Sequence, residues 1–204
     1  CVFQTQSSLS KKNTMSEVYV DFQGFLNKEK FVFKELAIIS EDYSVNLHCL
    51  FKPPHNISQL NTSERQIVKW LTKNHHGLKW QNGDQPYEEL VETLTKYTKK
   101  ANVIFVKGSA KEEILQNYIP HKTVLNLEDY EFPCLAELMS NSTELQCDHH
   151  EYNNDLHDKK LFCAKYIANC MMNYHNEHRR PRDMFEEDVY DDDEELITCG
   201  CICK

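Results

Sequence analysis

The window CDHHEYNNDLHDKKLFCAKYIANC, residues 147–170, crowds metal-ligating side chains into a short span. Cys147 and His150 are three residues apart, so a single turn of chain lets both reach one ion. Cys163 follows that pair after twelve intervening residues. Thiolate and imidazole are donors that zinc takes, four at a time, in a tetrahedron with bonds of ~2.0–2.3 Å. Three donors leave one corner to be filled from elsewhere, and Cys134 and Glu35 are the contenders. His149 and His157 are near alternatives that read as exposed loop histidines. Cys170 lies two helical turns after Cys163, shares its face, and reads as core. Four protein ligands would leave no place for water, so the chemistry of such a site is structural and not hydrolytic.

The elements that must position these residues follow from periodicity. Residues 17–25, 30–40 and 44–51 are rich in Val, Ile, Tyr and Phe and are joined by short connections, which predicts three antiparallel strands. KPPH closes that run, because proline has no N–H to give a ladder. Residues 61–77 predict a helix with a cap residue, apolar spacing at Ile67, Val68 and Leu71, and a closing Gly77. Residues 80–100 predict a turn and then a second helix, with Leu90, Leu94 and Tyr97 on one face. The apolar runs 102–108 and 122–130 predict strands buried on both faces. Helices are expected at 109–119, 134–140 and 158–178. Residues 1–15 read as a disordered lead-in, with Met15 a candidate start. Residues 16–178 read as one domain and 179–204 as a disordered tail ending in CGCICK.

This order, three antiparallel strands and then two helix-linked parallel ones in a mixed sheet flanked by helices, resembles the ribonuclease H-like α/β fold of exonuclease domains. Nucleases of that fold hold two divalent ions on several carboxylates. The DEDD exonuclease group carries Asp-x-Glu on its first strand; here Asp21 is followed by Phe22 and Gln23. Glu112 or Glu113 is an imperfect stand-in for the next acid. Counted from His157, the place of the last acid is held by Phe162. A divergent nuclease would therefore rest on Asp21, Glu112 and His157, and the expectation is loss of two-metal chemistry.

The window CDHH…LFCAKYIANC, with KELAII around Glu35 and ELVETLTKYTKKANVIFVKG, resembles the Maelstrom domain, a ribonuclease H-like module of the piRNA pathway. That resemblance implies a Glu-Cys-His-Cys zinc set at Glu35, Cys147, His150 and Cys163, pinning the last helix to the sheet. It also implies a non-catalytic role in RNA binding or partner recruitment, including piRNA and transposon silencing. Single-stranded RNA is the expected ligand, and a pure protein scaffold is the other non-enzymatic reading.

Charge neither demands nor forbids that ligand. The formal net charge is −9. Residues 181–196 hold nine acids and one arginine, a net of −8, which leaves about −1 for the rest. The acidic segment reads as a solvated tail or as a contact for a basic protein partner. Arg179 and Arg180, in HNEHRRPR, are candidate phosphate contacts. Trp70 and Trp80 are candidates for base stacking, with core packing the alternative for Trp70. No apolar run approaches the ~18 residues of a membrane helix. Residues 1–20 lack the pattern of a secretory signal, and nine cysteines is an odd count; together these suggest an intracellular, reducing compartment without a membrane partner.

Overall fold

The computed structural model describes residues 17–27, 30–140, 147, 149–150 and 163–178. It is an α/β fold. Strands β1 (Glu17–Asn27), β2 (Lys30–Ser40) and β3 (Asn46–Leu50) form the expected antiparallel meander. Helix α1 (Thr62–Asn74) follows, then α2 (Leu90–Thr98), β4 (Val103–Val106), α3 (Ser109–Tyr118), β5 (Thr123–Asn126), α4 (Leu135–Ser140) and α5 (Ala164–His178). The sheet order is β3-β2-β1-β4-β5, with β1, β4 and β5 mutually parallel. The first strand in sequence is thus the central one. Among the described residues no helix is long and apolar enough to cross a membrane.

Alternation along β1 sorts its side chains between two cores. Val18, Val20 and Phe22 pack with Leu36, Ile38 and the apolar faces of α2 and α3, through Leu90, Leu94 and Leu115. On the opposite face Tyr19 meets Ala37, Ile39, Phe105 and the long apolar side of α5. That second face also receives Asp21, Gln23 and Glu35, all buried, and Gln23 stands opposite Glu35 in the ladder. A polar strip inside a core must find partners or cost several kcal/mol. What those partners are decides the chemistry of the molecule.

Two local features shape this face. The β1–β2 register shifts between Gln23 and Gly24, a bulge. A Cβ on Gly24 would lie 2.0 Å from the carbonyl oxygen of Val32, so no larger residue fits. Beyond the bulge, Phe25 and Val32 pack with Leu60, Val68 and Trp80 in a third cluster. Helix α1 closes over it, its start fixed by a capping box in which Asn61 and Glu64 bond each other's backbone N–H at 2.7 and 2.9 Å.

One expectation for α1 is corrected. Val68 is buried and Leu71 partly so, but Ile67 is 46% exposed and Trp70 59% exposed. The packed stripe is set by Val68 against Trp80 and Phe25, and Ile67 and Trp70 fall on the other side of the helix. Trp80 is corrected in the opposite sense. It is 1% exposed, its ring lies against Phe25, and its Nε1–H donates to the His55 carbonyl at 3.1 Å, so no base can stack on it.

Candidate metal centre

Glu35 lies in the middle of β2 and is fully buried. Four groups from three segments meet its carboxylate. His48 Nε2 approaches Oε1 at 2.7 Å, His150 Nε2 approaches the same oxygen at 2.9 Å, and Cys163 Sγ lies 3.5 Å from it. The backbone N–H of Ala164 donates to Oε2 at 3.1 Å. Ala164 is the first residue of α5, so Glu35 satisfies one of that helix's open N–H groups and sits at the positive end of its dipole. The helix start is thereby held by a side chain 129 residues away in sequence.

Cys147 completes the cluster. Ligand atoms of Glu35, His48, Cys147 and Cys163 all lie within 4.8 Å of one another. A zinc tetrahedron with ~2.0–2.3 Å bonds has edges of roughly 3.3–3.8 Å, so a small contraction would close this group on one ion. His150 hydrogen-bonds both Cys147 and Glu35 and belongs to the same constellation. Glu35, Cys147, His150 and Cys163 are thus brought together. His48 was not foreseen. It stands opposite Ala37 on β3, and antiparallel pairing puts it on the face of Glu35, one alternation along.

The group around these donors is ordered too. His150 Nδ1 meets the His76 carbonyl at 2.5 Å; N–H donation to that oxygen aims Nε2 into the cluster, the way a backbone carbonyl orients a ligating histidine. His76 is itself fixed. Its Nδ1 accepts from the Leu78 N–H at 3.0 Å, and its Nε2–H donates to the Gly24 carbonyl at 3.2 Å. Burial pushes the His76 imidazole down to about 4, so it stays neutral in this role.

Charges within the cluster are strongly coupled. The hydrogen bond from Cys163, with help from His150, holds the Cys147 thiol down at about 4. Cys163, as donor in that pair, is pushed up. Burial opposes charge on His150, yet its bonds to Cys147 and Glu35 raise it to about 10. Burial likewise opposes charge on Glu35, but His150 and His48 bring it to about 2. Without an ion the cluster is therefore thiolate, thiol, imidazolium and carboxylate. An arriving cation would displace the protons of Cys163 and His150.

The remaining sequence candidates lie elsewhere. Cys134 is exposed and outside the cluster. Residue 134 stands at the start of α4, where it lines a cavity of ≈ 320 Å³ together with Asp21, Gln23, His75, Lys107 and Lys111. His149 is exposed, its ring 5.0 Å from that of His48. Cys170 is buried in the α5 core. His157, Arg179 and Arg180 lie outside the described residues.

Asp21, where the exonuclease pattern would begin its metal cage, is fully buried, and the ammonium of Lys111 is bonded to its Oδ1. Burial pushes Asp21 up to about 6, against the pull of Lys111. Glu112, the neighbour of Lys111 on the first turn of α3, does not line the cavity. The helix that was expected to offer an acid offers a base instead. A cation is already tethered where a divalent ion would meet the first carboxylate.

No known protein-family model matches the chain, and no curated protein sequence matches it either.

Proposed function

We propose that this chain is a ribonuclease H-like module that carries a structural zinc ion and binds single-stranded RNA without two-metal hydrolysis. The observation that carries the reading is the convergence of Glu35, His48, Cys147 and Cys163 within 4.8 Å, with His150 bonded to two of them, at the buried start of α5. Two sulfurs, imidazole and a carboxylate form the mixed borderline donor set that suits zinc. With Glu35, Cys147, His150 and Cys163 as ligands, His48 would hold the Glu35 carboxylate in place by its hydrogen bond without touching the ion. The ion would pin α5 to the sheet. The Lys111–Asp21 pair supports the non-catalytic half of the reading.

RNA binding is supported by α1. Its exposed Trp70 lies between exposed Lys69 and Lys73, an aromatic surface beside cations, and base stacking on aromatics is tolerant of sequence. The likeness to the Maelstrom domain, and with it a role in small-RNA silencing, belongs to the same proposal.

Elemental analysis of the purified chain tests the first half. The expected result is one zinc per chain, lost in Cys163→Ser and weakened in Glu35→Ala. Zinc absent from the wild type sinks the claim; zinc kept in Glu35→Ala but lost in His48→Ala reassigns an oxygen ligand to a nitrogen one. Fluorescence anisotropy with a labelled single-stranded RNA tests the second half. Cleavage of that RNA in magnesium, abolished by Asp21→Asn, would restore the nuclease alternative.

A further inference from the structure

We propose that the acidic segment 182–196 of this chain docks on the exposed face of α1. Ile67 and Trp70 are one turn apart and adjacent on the helix surface. They are 46% and 59% exposed, although they are large apolar groups. At ~100° per residue Ile67, Trp70 and Asn74 fall within about 60° of one another, and Lys69 and Lys73 flank them on the Trp70 side. The only acid in α1 is Glu64, which is buried in the capping box. The solvent side of the helix is therefore apolar at its centre and positive along its rim.

Residues 182–196 carry the complement. Nine acids, in runs at 186–188 and 191–195 with Asp183 before them, are interspersed with Met184, Phe185, Val189, Tyr190 and Leu196. The apolar residues match Ile67 and Trp70, and the carboxylates match Lys69 and Lys73.

The chain is long enough to reach. The start of α5 is bound to Glu35 through Ala164, and Glu35 is joined through His150 to His76, two residues past the end of α1. Helix α5 then runs 15 residues to His178, roughly 22 Å away from that junction. Trp70 lies a further ~9 Å back along α1. The crossing from Ala164 through Glu35 and His150 to His76 adds roughly 13 Å, and the chain from His178 to Leu196 spans up to about 60 Å at full extension. The acidic segment can therefore fold back over the whole length of α5 and lie along α1. Docking there would cover the surface to which RNA binding was assigned, and the segment would act as a built-in competitor. The docking itself does not require RNA; only that consequence rests on the RNA reading.

Tryptophan quenching by acrylamide, a neutral quencher, tests the docking in the full chain. The chain has two tryptophans, and Trp80 is 1% exposed, so any change in accessibility reports Trp70. At low salt Trp70 should be shielded. Its quenching constant should rise at least threefold at ~1 M salt, where the Debye length falls to ~3 Å. It should rise equally in a variant carrying Asp191→Asn, Asp192→Asn, Asp193→Asn, Glu194→Gln and Glu195→Gln, and Trp70→Phe should abolish the salt-sensitive component. Equal quenching in the wild type and the neutralised variant overturns the proposal. So does shielding that grows with protein concentration, which assigns the face to a second copy. The neutralised variant should bind a labelled single-stranded RNA at least tenfold more tightly than the wild type. No RNA affinity in either chain removes the RNA reading and leaves the quenching result to decide the docking.

Discussion

Replacing Lys111 by methionine isolates the charge that stands at the first carboxylate. The methionine keeps most of the side-chain volume and removes the ammonium. Asp21 is fully buried, and its other oxygen, Oδ2, meets Gln23 Nε2 at 3.5 Å. Removing one partner of a buried ion pair costs about 3–5 kcal/mol. Lys111 is a quarter exposed, so water weakens the pair and the expected cost falls below that range, to about 2–3 kcal/mol at neutral pH. For a domain of this size that lowers Tm by roughly 5–10 °C. The pH dependence carries the diagnosis. The folded Asp21 carboxyl, at about 6, sits above its ordinary 3.8, so the folded state holds the extra proton and gains stability as pH falls through that window. Loss of Lys111 raises the folded value further and moves the gain up towards neutral pH. The cost of Lys111→Met is then largest near pH 8 and shrinks towards pH 5. Urea unfolding of the wild type, Lys111→Met and Asp21→Asn/Lys111→Met across pH 5–8 measures it. The double variant, with no charge to bury, should recover to within about 1 kcal/mol of the wild type. A cost of Lys111→Met below about 0.5 kcal/mol, or one that does not shrink in acid, would refute the reasoning.

Metal loading at neutral pH should release about two protons per ion, from Cys163 and His150. Calorimetric titration in buffers of different ionisation enthalpy counts them, and zero release would exclude both as ligands. Trp70→Ala should weaken single-stranded RNA binding by roughly 5–100-fold while leaving stability within about 0.5 kcal/mol. Trp80→Ala should cost about 3–5 kcal/mol of stability, because it empties the cluster around Phe25. Lys34 is fully buried and its ammonium donates to the carbonyls of Phe51, Trp80 and Asn82. Lys34→Met should cost about 3 kcal/mol in urea unfolding by leaving those three oxygens without their shared donor.

The strands and helices were legible because their periods are. Alternation over 17–25 and 30–40 located β1 and β2, and the uniform apolar runs located β4 and β5. Strand β5 nevertheless ends at Asn126, where the chain turns into a short 3-10 turn over Leu127–Tyr130. The Asn126 side chain accepts from the Gly108 and Glu128 N–H groups, contacts no propensity reveals. Helix α1 misled because two stripes overlap in it. Ile67 and Leu71 are four apart, as are Val68 and Thr72, and only the position of Trp80 and Phe25 decides which stripe is packed. Around the candidate metal centre, thiol and imidazole spacing pointed to Cys147, His150 and Cys163, which the fold brings to Glu35 or to one another. His48 gave no such signal. Its place follows from the β2–β3 register, and a sequence states that register only once the hairpin's length is known. Lys111 was hidden for a related reason. Ninety residues separate it from Asp21, and the pairing exists because β4 lies parallel to β1 and delivers the first turn of α3 to that point.

The sheet order has a consequence during synthesis. Among the described strands β1 leaves the ribosome first, and it is the central strand of the finished sheet. Its meander partners follow at once, but its parallel neighbour β4 ends 79 residues after β1 does. At ~5–20 residues per second that is roughly 4–16 s of translation in which one edge of an apolar strand is open. The buried charges are late as well. Asp21 waits for Lys111, and Glu35 waits for Cys163 and Ala164 at the start of the last described helix. Within the nascent meander Glu35 already has His48 of β3, but Asp21, on the strand whose edge is unsealed, has no cation, and that inward-pointing carboxylate opposes premature stacking of one chain on another.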